Sequence, residues 1–76
     1  MGMITFVKLT DVHSVDHTCF FTYEPDASNS PYTDRGGVGI CFYYGNDWIS
    51  IIAIPYATTD IYIAEKRAEW SEWAKK

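Results

Sequence analysis

Two histidines and a cysteine fall within seven positions in the stretch Asp11-Val12-His13-Ser14-Val15-Asp16-His17-Thr18-Cys19. In an extended chain His13, His17 and Cys19 point to one side, and imidazole with thiolate is a zinc ligand set. Spacing argues against closure. Same-side neighbours on a strand are about 6.6 Å apart along the backbone, whereas a tetrahedral site needs three or four ligands converging from separate segments. The other cysteine, Cys41, stands alone, with no knuckle-type pair near it. The expectation is no metal and no cofactor, with His13, His17 and Cys19 as the only candidate ligands.

Nucleophilic catalysis needs a cysteine or serine beside a histidine that a third group orients. Cys41 sits inside the apolar run Gly39-Ile40-Cys41-Phe42-Tyr43-Tyr44, where burial raises a thiol pKa and makes it inert. Cys19 is near His17 in sequence, but nearness along a strand does not make a dyad. Arg35-Gly36-Gly37-Val38-Gly39 invites comparison with phosphate-cradling loops, yet those glycines lead into a helix, and these lead into strand-type residues. No enzyme is expected.

The stronger candidates are for contact. Glu24, Asp26 and Asp34 surround a long polar segment with Tyr32 and Arg35 among them. Carboxylates steer a basic partner, and an interspersed ring supplies a desolvated anchor. Trp73, at the margin of a C-terminal amphipathic stripe, extends the candidate partner-binding surface.

These residues need elements to hold them. Residues 3–10 and 18–24 have the β-branched and aromatic composition of strands, and Pro25 stops the second. Residues 25–37 form a loop rich in proline, glycine and short polar side chains. Residues 38–44 and 48–54 flank Gly45-Asn46-Asp47, a hairpin signature whose glycine and asparagine tolerate the positive φ of a tight turn. Residues 60–75 carry Glu65, Glu69 and Glu72 on one arc of a helical projection and Ile63, Ala64, Ala68, Trp70 and Ala74 on the other. Asp60 to Ile63 suits either the first helical turn or a short fifth strand. The fold expected is α+β: an antiparallel sheet of about four strands, with one C-terminal amphipathic helix packed on one face.

Strands 38–44 and 48–54 carry large apolar side chains on both alternating sets, so both sheet faces are hydrophobic. One helix covers one face. The other is expected to self-associate as a homodimer, with Phe20, Phe21, Tyr43 and Tyr44 as candidates for the buried patch, Phe20 and Tyr43 in one alternating set with Thr22 and Cys41, Phe21 and Tyr44 in the other with Phe42.

Size and charge narrow the function. A 76-residue chain is a single small domain, with an expected folded surface of about 4,700 Å². Net charge is −4, and no basic stripe exists for a phosphate backbone, so direct nucleic-acid binding is not expected. No run approaches the roughly 18 apolar residues of a membrane span, and the N-terminal residues lack a basic leader before an apolar core. The expected location is the cytoplasm, with Cys19 and Cys41 as thiols.

In size, acidity, aromatic content and lack of catalytic motifs, the chain resembles the small inhibitors that phages encode against bacterial defence or transcription machinery, anti-CRISPR proteins among them. The resemblance implies a protein-binding module that blocks another macromolecule, such as a basic nucleic-acid-binding protein. Two further readings fit the same composition: an oligomer that sequesters a nucleotide-like small molecule, and a self-associating structural subunit.

Overall fold

Aromatic side chains on one strand and glycines on the next set the centre of the sheet. In the computed structural model, which describes residues 5–32 and 34–76, β2 (Cys19–Ser28) runs antiparallel to β3 (Gly37–Gly45), with Phe21 opposite Gly39 and Tyr23 opposite Gly37. A Cβ on Gly39 would lie 2.5 Å from the Phe21 ring and collide with the carbonyl oxygen of Ile52; one on Gly37 would lie 2.6 Å from the Tyr23 hydroxyl. The missing side chains are therefore the space the two rings occupy, a cross-strand arrangement that covers glycines in sheets. Every glycine among the described residues has negative φ, so room for the rings decides these positions.

The remaining strands extend this centre in chain order. β1 (Phe6–Asp11) pairs parallel to β2, and β4 (Trp48–Pro55), β5 (Tyr62–Lys66) and β6 (Ala74–Lys75) follow antiparallel, giving a six-stranded mixed sheet ordered β1-β2-β3-β4-β5-β6. A 3-10 turn, Val12–Ser14, links the parallel pair; the Asp11 carboxylate caps it by accepting from the His13 amide at 2.9 Å. Val12 and Val15 are driven into the core.

The α+β expectation is overturned. No α-helix occurs among the described residues, and the expected C-terminal helix is instead β5, a tight reversal and β6. Three interactions outweigh helix propensity, which is a weak prior. Ile63 and Ala64 pair with Ile52 and Ile51, satisfying the otherwise open edge of β4. The Trp70 ring stacks on His13 with centroids 4.1 Å apart, and the Glu65 carbonyl and amide are taken by the Ser71 amide and hydroxyl at 2.8 and 2.9 Å. The short-strand alternative for residues 60–63 is the one realised, beginning at Tyr62.

Other boundaries shift for local reasons. The second strand passes through Pro25, because the β1 register jumps from Leu9↔Tyr23 to Asp11↔Ser28 and the β3 pairing ends at Tyr23; a proline inside that irregularity costs no ladder bond. The hairpin at 45–48 forms as expected, without a left-handed residue at Asn46. Instead Tyr44 is the extra residue of a bulge between Tyr43↔Ile49 and Gly45↔Trp48. The expected start of the first strand at residue 3 lies outside the described residues.

Parity then sorts the side chains. Leu9, Phe21, Tyr23, Cys41, Ile49, Ile51 and Ala53 form the core on one face, closed by Val12 and Val15 and packed by Trp70 and Trp73. The other face carries Phe6, Phe20, Val38, Ile40, Phe42, Ile52 and Ile54, and no element covers it among the described residues.

Two substitutions test this account. Gly39→Ala pushes a methyl into the fully buried Phe21 ring and the backbone of β4, and is expected to cost about 3 kcal/mol in urea denaturation. Ala57, at φ 61, is a non-glycine residue in the left-handed region; Ala57→Gly is expected to stabilise by about 0.5 to 1 kcal/mol, the relieved strain exceeding the added chain entropy.

Candidate functional site

The two ends of the Asp34–Gly37 segment and the β4 terminus enclose a groove of about 620 Å³. Its floor is apolar, from Val38, Ile54 and Pro55, and its rim carries Glu24, Asp34, Arg35 and Tyr56. The Tyr56 amide donates to the Gly36 carbonyl at 2.8 Å, and the Arg35 guanidinium reaches the Tyr56 carbonyl at 3.3 Å, so the loop is tied to the end of β4. Asp34 and Arg35 form an exposed ion pair at 3.4 Å, while Glu24 and Tyr56, the latter 76% exposed, are free to meet a partner.

The structure divides the residues that the sequence grouped. Glu24, Asp34 and Arg35 share the groove; Asp26 is exposed on β2 outside it. Tyr32 lies with Tyr62, not at the rim: their rings meet edge to face at 5.4 Å, the Tyr62 hydroxyl donates to the Tyr32 oxygen at 2.8 Å, and Tyr32 donates to Asp60 at 3.3 Å. Lys75 closes this network 3.6 Å from Asp60, and the Arg35 guanidinium sits 5.4 Å from the Tyr32 ring centre. Trp73 is half-buried against the core and donates its indole N–H to the Asn29 carbonyl at 2.9 Å. It occupies no helix edge, because the helix is absent. Tyr32 and Trp73 thus fasten the long loop and the C-terminal segment to the sheet.

Of the four sheet-face candidates, Phe20 and Tyr44 are exposed, whereas Phe21 is fully buried and Tyr43 packs against the core. The register Phe20↔Ile40 and Cys19↔Cys41 groups Phe20 with Phe42, and Phe21 with Cys41. Sequence reasoning missed Phe6, Val38, Trp48 and Ile54 as members of one surface and set Phe42 with Phe21 instead of Phe20; the signal available was the two-sided apolar pattern, once the register was known.

The candidate metal ligands are separated. His13 stacks on Trp70, and burial there holds its pKa below the usual imidazole range. His17 is exposed and paired with Asp16 at 2.7 Å. Cys19 faces Cys41 across β2 and β3, both as free thiols. Burial raises the Cys19 thiol and pushes Cys41 up to about 12, leaving Cys41 protonated and unreactive near neutrality. Among the described residues, no group of three metal-ligating side chains converges, and no helix is long and apolar enough to cross a membrane.

Comparison with known proteins finds no relative: no family model matches the chain, and neither does any curated protein or solved structure.

Two tyrosines report on this packing. The hydrogen bond shared with Tyr62, together with the neighbouring Asp60 carboxylate, raises Tyr32 to about 12, and burial raises Tyr23 to about 12. A tyrosine whose folded pKa lies above its unfolded value stabilises fully below about pH 10 and loses that contribution as pH climbs toward the folded value. Denaturation midpoints are therefore expected to hold up to about pH 10 and fall between there and 12. Ultraviolet titration of the six tyrosines should show Tyr23→Phe and Tyr32→Phe each deleting one late-titrating phenol.

Proposed function

We propose that this chain is a non-catalytic binding module that inhibits another macromolecule by occupying its surface. The observation that carries the reading is the groove: an apolar floor from Val38, Ile54 and Pro55 beneath a rim holding Glu24, Asp34 and the exposed Tyr56. An apolar slot edged by carboxylates suits a polypeptide segment in which basic and apolar residues alternate, the apolar ones filling the slot and the basic ones meeting the rim. Such segments are common on proteins that handle nucleic acid. A chain of net charge −4 steers toward that partner rather than toward the nucleic acid. Two reduced thiols suit a cytoplasmic setting.

The test uses defined peptides on the isotope-labelled protein. A short peptide alternating arginine with leucine is expected to shift the amide resonances of Gly36, Gly37 and Ala57, and to bind more weakly as salt rises from about 0.05 to about 0.5 M, where screening shortens to a few ångströms. Its glutamate counterpart is expected to leave them unmoved. Glu24→Lys with Asp34→Lys is expected to abolish the response while the rest of the spectrum is preserved, since exposed charges contribute little to stability. An equal response to both peptides, or shifts confined to residues outside the groove, overturns the assignment.

A further inference from the structure

The groove takes only Val38 and Ile54 from a wider apolar surface. On the uncovered sheet face, Phe6, Phe20, Val38, Phe42, Tyr44, Trp48 and Ile54 are each more than a third exposed. Charged side chains enter this face as Lys8 on β1, Glu24 on β2 just past the end of its pairing with β3, and Glu65 on β5, so the centre is apolar and aromatic apart from Ser50, with a charged border. That is the anatomy of a protein interface. The accessible surface, 5203 Å², also exceeds the value of about 4,700 Å² expected for a compact monomer of this mass.

The relief of the face names the occupant. At one end Phe6, Phe20, Val38, Ile40, Ile52 and Ile54 line an apolar hollow of about 220 Å³. At the other end Phe42, 51% exposed, Trp48 and the bulged Tyr44, 84% exposed, whose ring is 5.4 Å from that of Trp48, stand around a second concavity of about 490 Å³ that reaches Ser50. The hollow and the half-exposed Phe42 ring share one strand, with Ile40 between Val38 and Phe42. A cavity of about 150 Å³ accepts a benzene ring, so the hollow has room for a phenyl side chain.

We infer that this face is closed by a second copy of the chain. A two-fold axis lying in the interface, across the strands and over Ile40, sets each Phe42 ring into the hollow beside the partner copy's corresponding Val38, so that ring and hollow meet twice. Such an isologous contact needs one self-complementary patch. Aromatic side chains carry 150–250 Å² each, so the exposed fractions on this face come to roughly 700 Å² per copy. Two copies then bury about 1,400 Å², within the 1,200–2,000 Å² of stable interfaces. The same axis carries Tyr44 and Trp48 toward the partner copy's corresponding Gly36 and Tyr56 and covers the Val38 and Ile54 floor of the groove, so a second copy on this face and a peptide in the groove exclude each other.

Sedimentation equilibrium of the full chain at about 100 μM is expected to give twice the 8.7 kDa mass, dissociating on dilution. Phe42→Asp is expected to sediment as a monomer with an unchanged far-ultraviolet spectrum. A second measurement stands even where that variant fails to fold. When Phe42→Cys chains are mixed with Val38→Cys chains and mildly oxidised, the mixed disulfide dimer is the expected main product. A wild-type monomer at every concentration overturns the inference, as does a folded Phe42→Asp dimer. Cross-linking of Phe42→Cys chains mainly to each other also overturns it, because it places the axis elsewhere.

Discussion

The rest of the structure depends on two rings lying on two glycines. Phe21 and Tyr23 project from β2 over Gly39 and Gly37 of β3, and burying Phe21 alone contributes about 2 to 3 kcal/mol. The rings lie over β3, at the glycines that also approach β4, Gly39 at the Ile52 carbonyl and Gly37 at the Ile54 carbonyl. This makes a thin core that a three-residue turn and two tryptophans can close. The closure is confined to one face, and the apolar set of the other face is left in the open. The Tyr23 hydroxyl is the cost of the arrangement, being buried without a hydrogen-bond partner among the described residues, which is worth about 1 to 3 kcal/mol against folding.

Much of this is legible in the chain. Two-sided apolar runs around Gly45-Asn46-Asp47 indicate the β3–β4 hairpin, and the same pattern announces a face without a covering layer. The C-terminal third is not legible, because its alanines, glutamates and lysines favour a helix locally, and the partners that override them are distant. His13 receives Trp70, Asn29 receives Trp73, and the open edge of β4 receives Ile63 and Ala64. Nothing within a window around Trp70 records that His13 lies beneath it. The parity of the sheet face was hidden for a different reason: the long connection between β2 and β3 sets no register, and a one-residue slip exchanges the two faces. Only the observed pairing of Phe20 with Ile40 decides that Phe42 is outward and Tyr43 inward.

The candidate site divides in the same way. Glu24, Asp34 and Arg35 are brought together as their loop position suggests. Tyr32 is drawn away because the loop folds back onto Tyr62 and Asp60, residues from a segment that the sequence assigns to a helix. The glycines that resemble an anion cradle hold no ligand-like geometry; Gly37 and Gly39 are spaces for rings, and Gly36 approaches the Tyr23 carbonyl so closely that a side chain there would strike it.

Strand order that follows chain order has a consequence for how the molecule opens. Each strand is bonded only to its neighbours in sequence, so either edge can peel away while the interior ladders remain intact. The two-residue β6 is the lightest edge and β1, at six residues, the next. Departure of β1 takes Phe6 from the wall of the hollow but leaves Phe42, Tyr44 and Trp48 in place on β3 and β4. Fraying at the N-terminal edge therefore widens the receptor half of the apolar face without disturbing the inserting half. Amide exchange in β1 and the shape of that face are thereby one coupled motion, separate from the slower opening of β3 from β4.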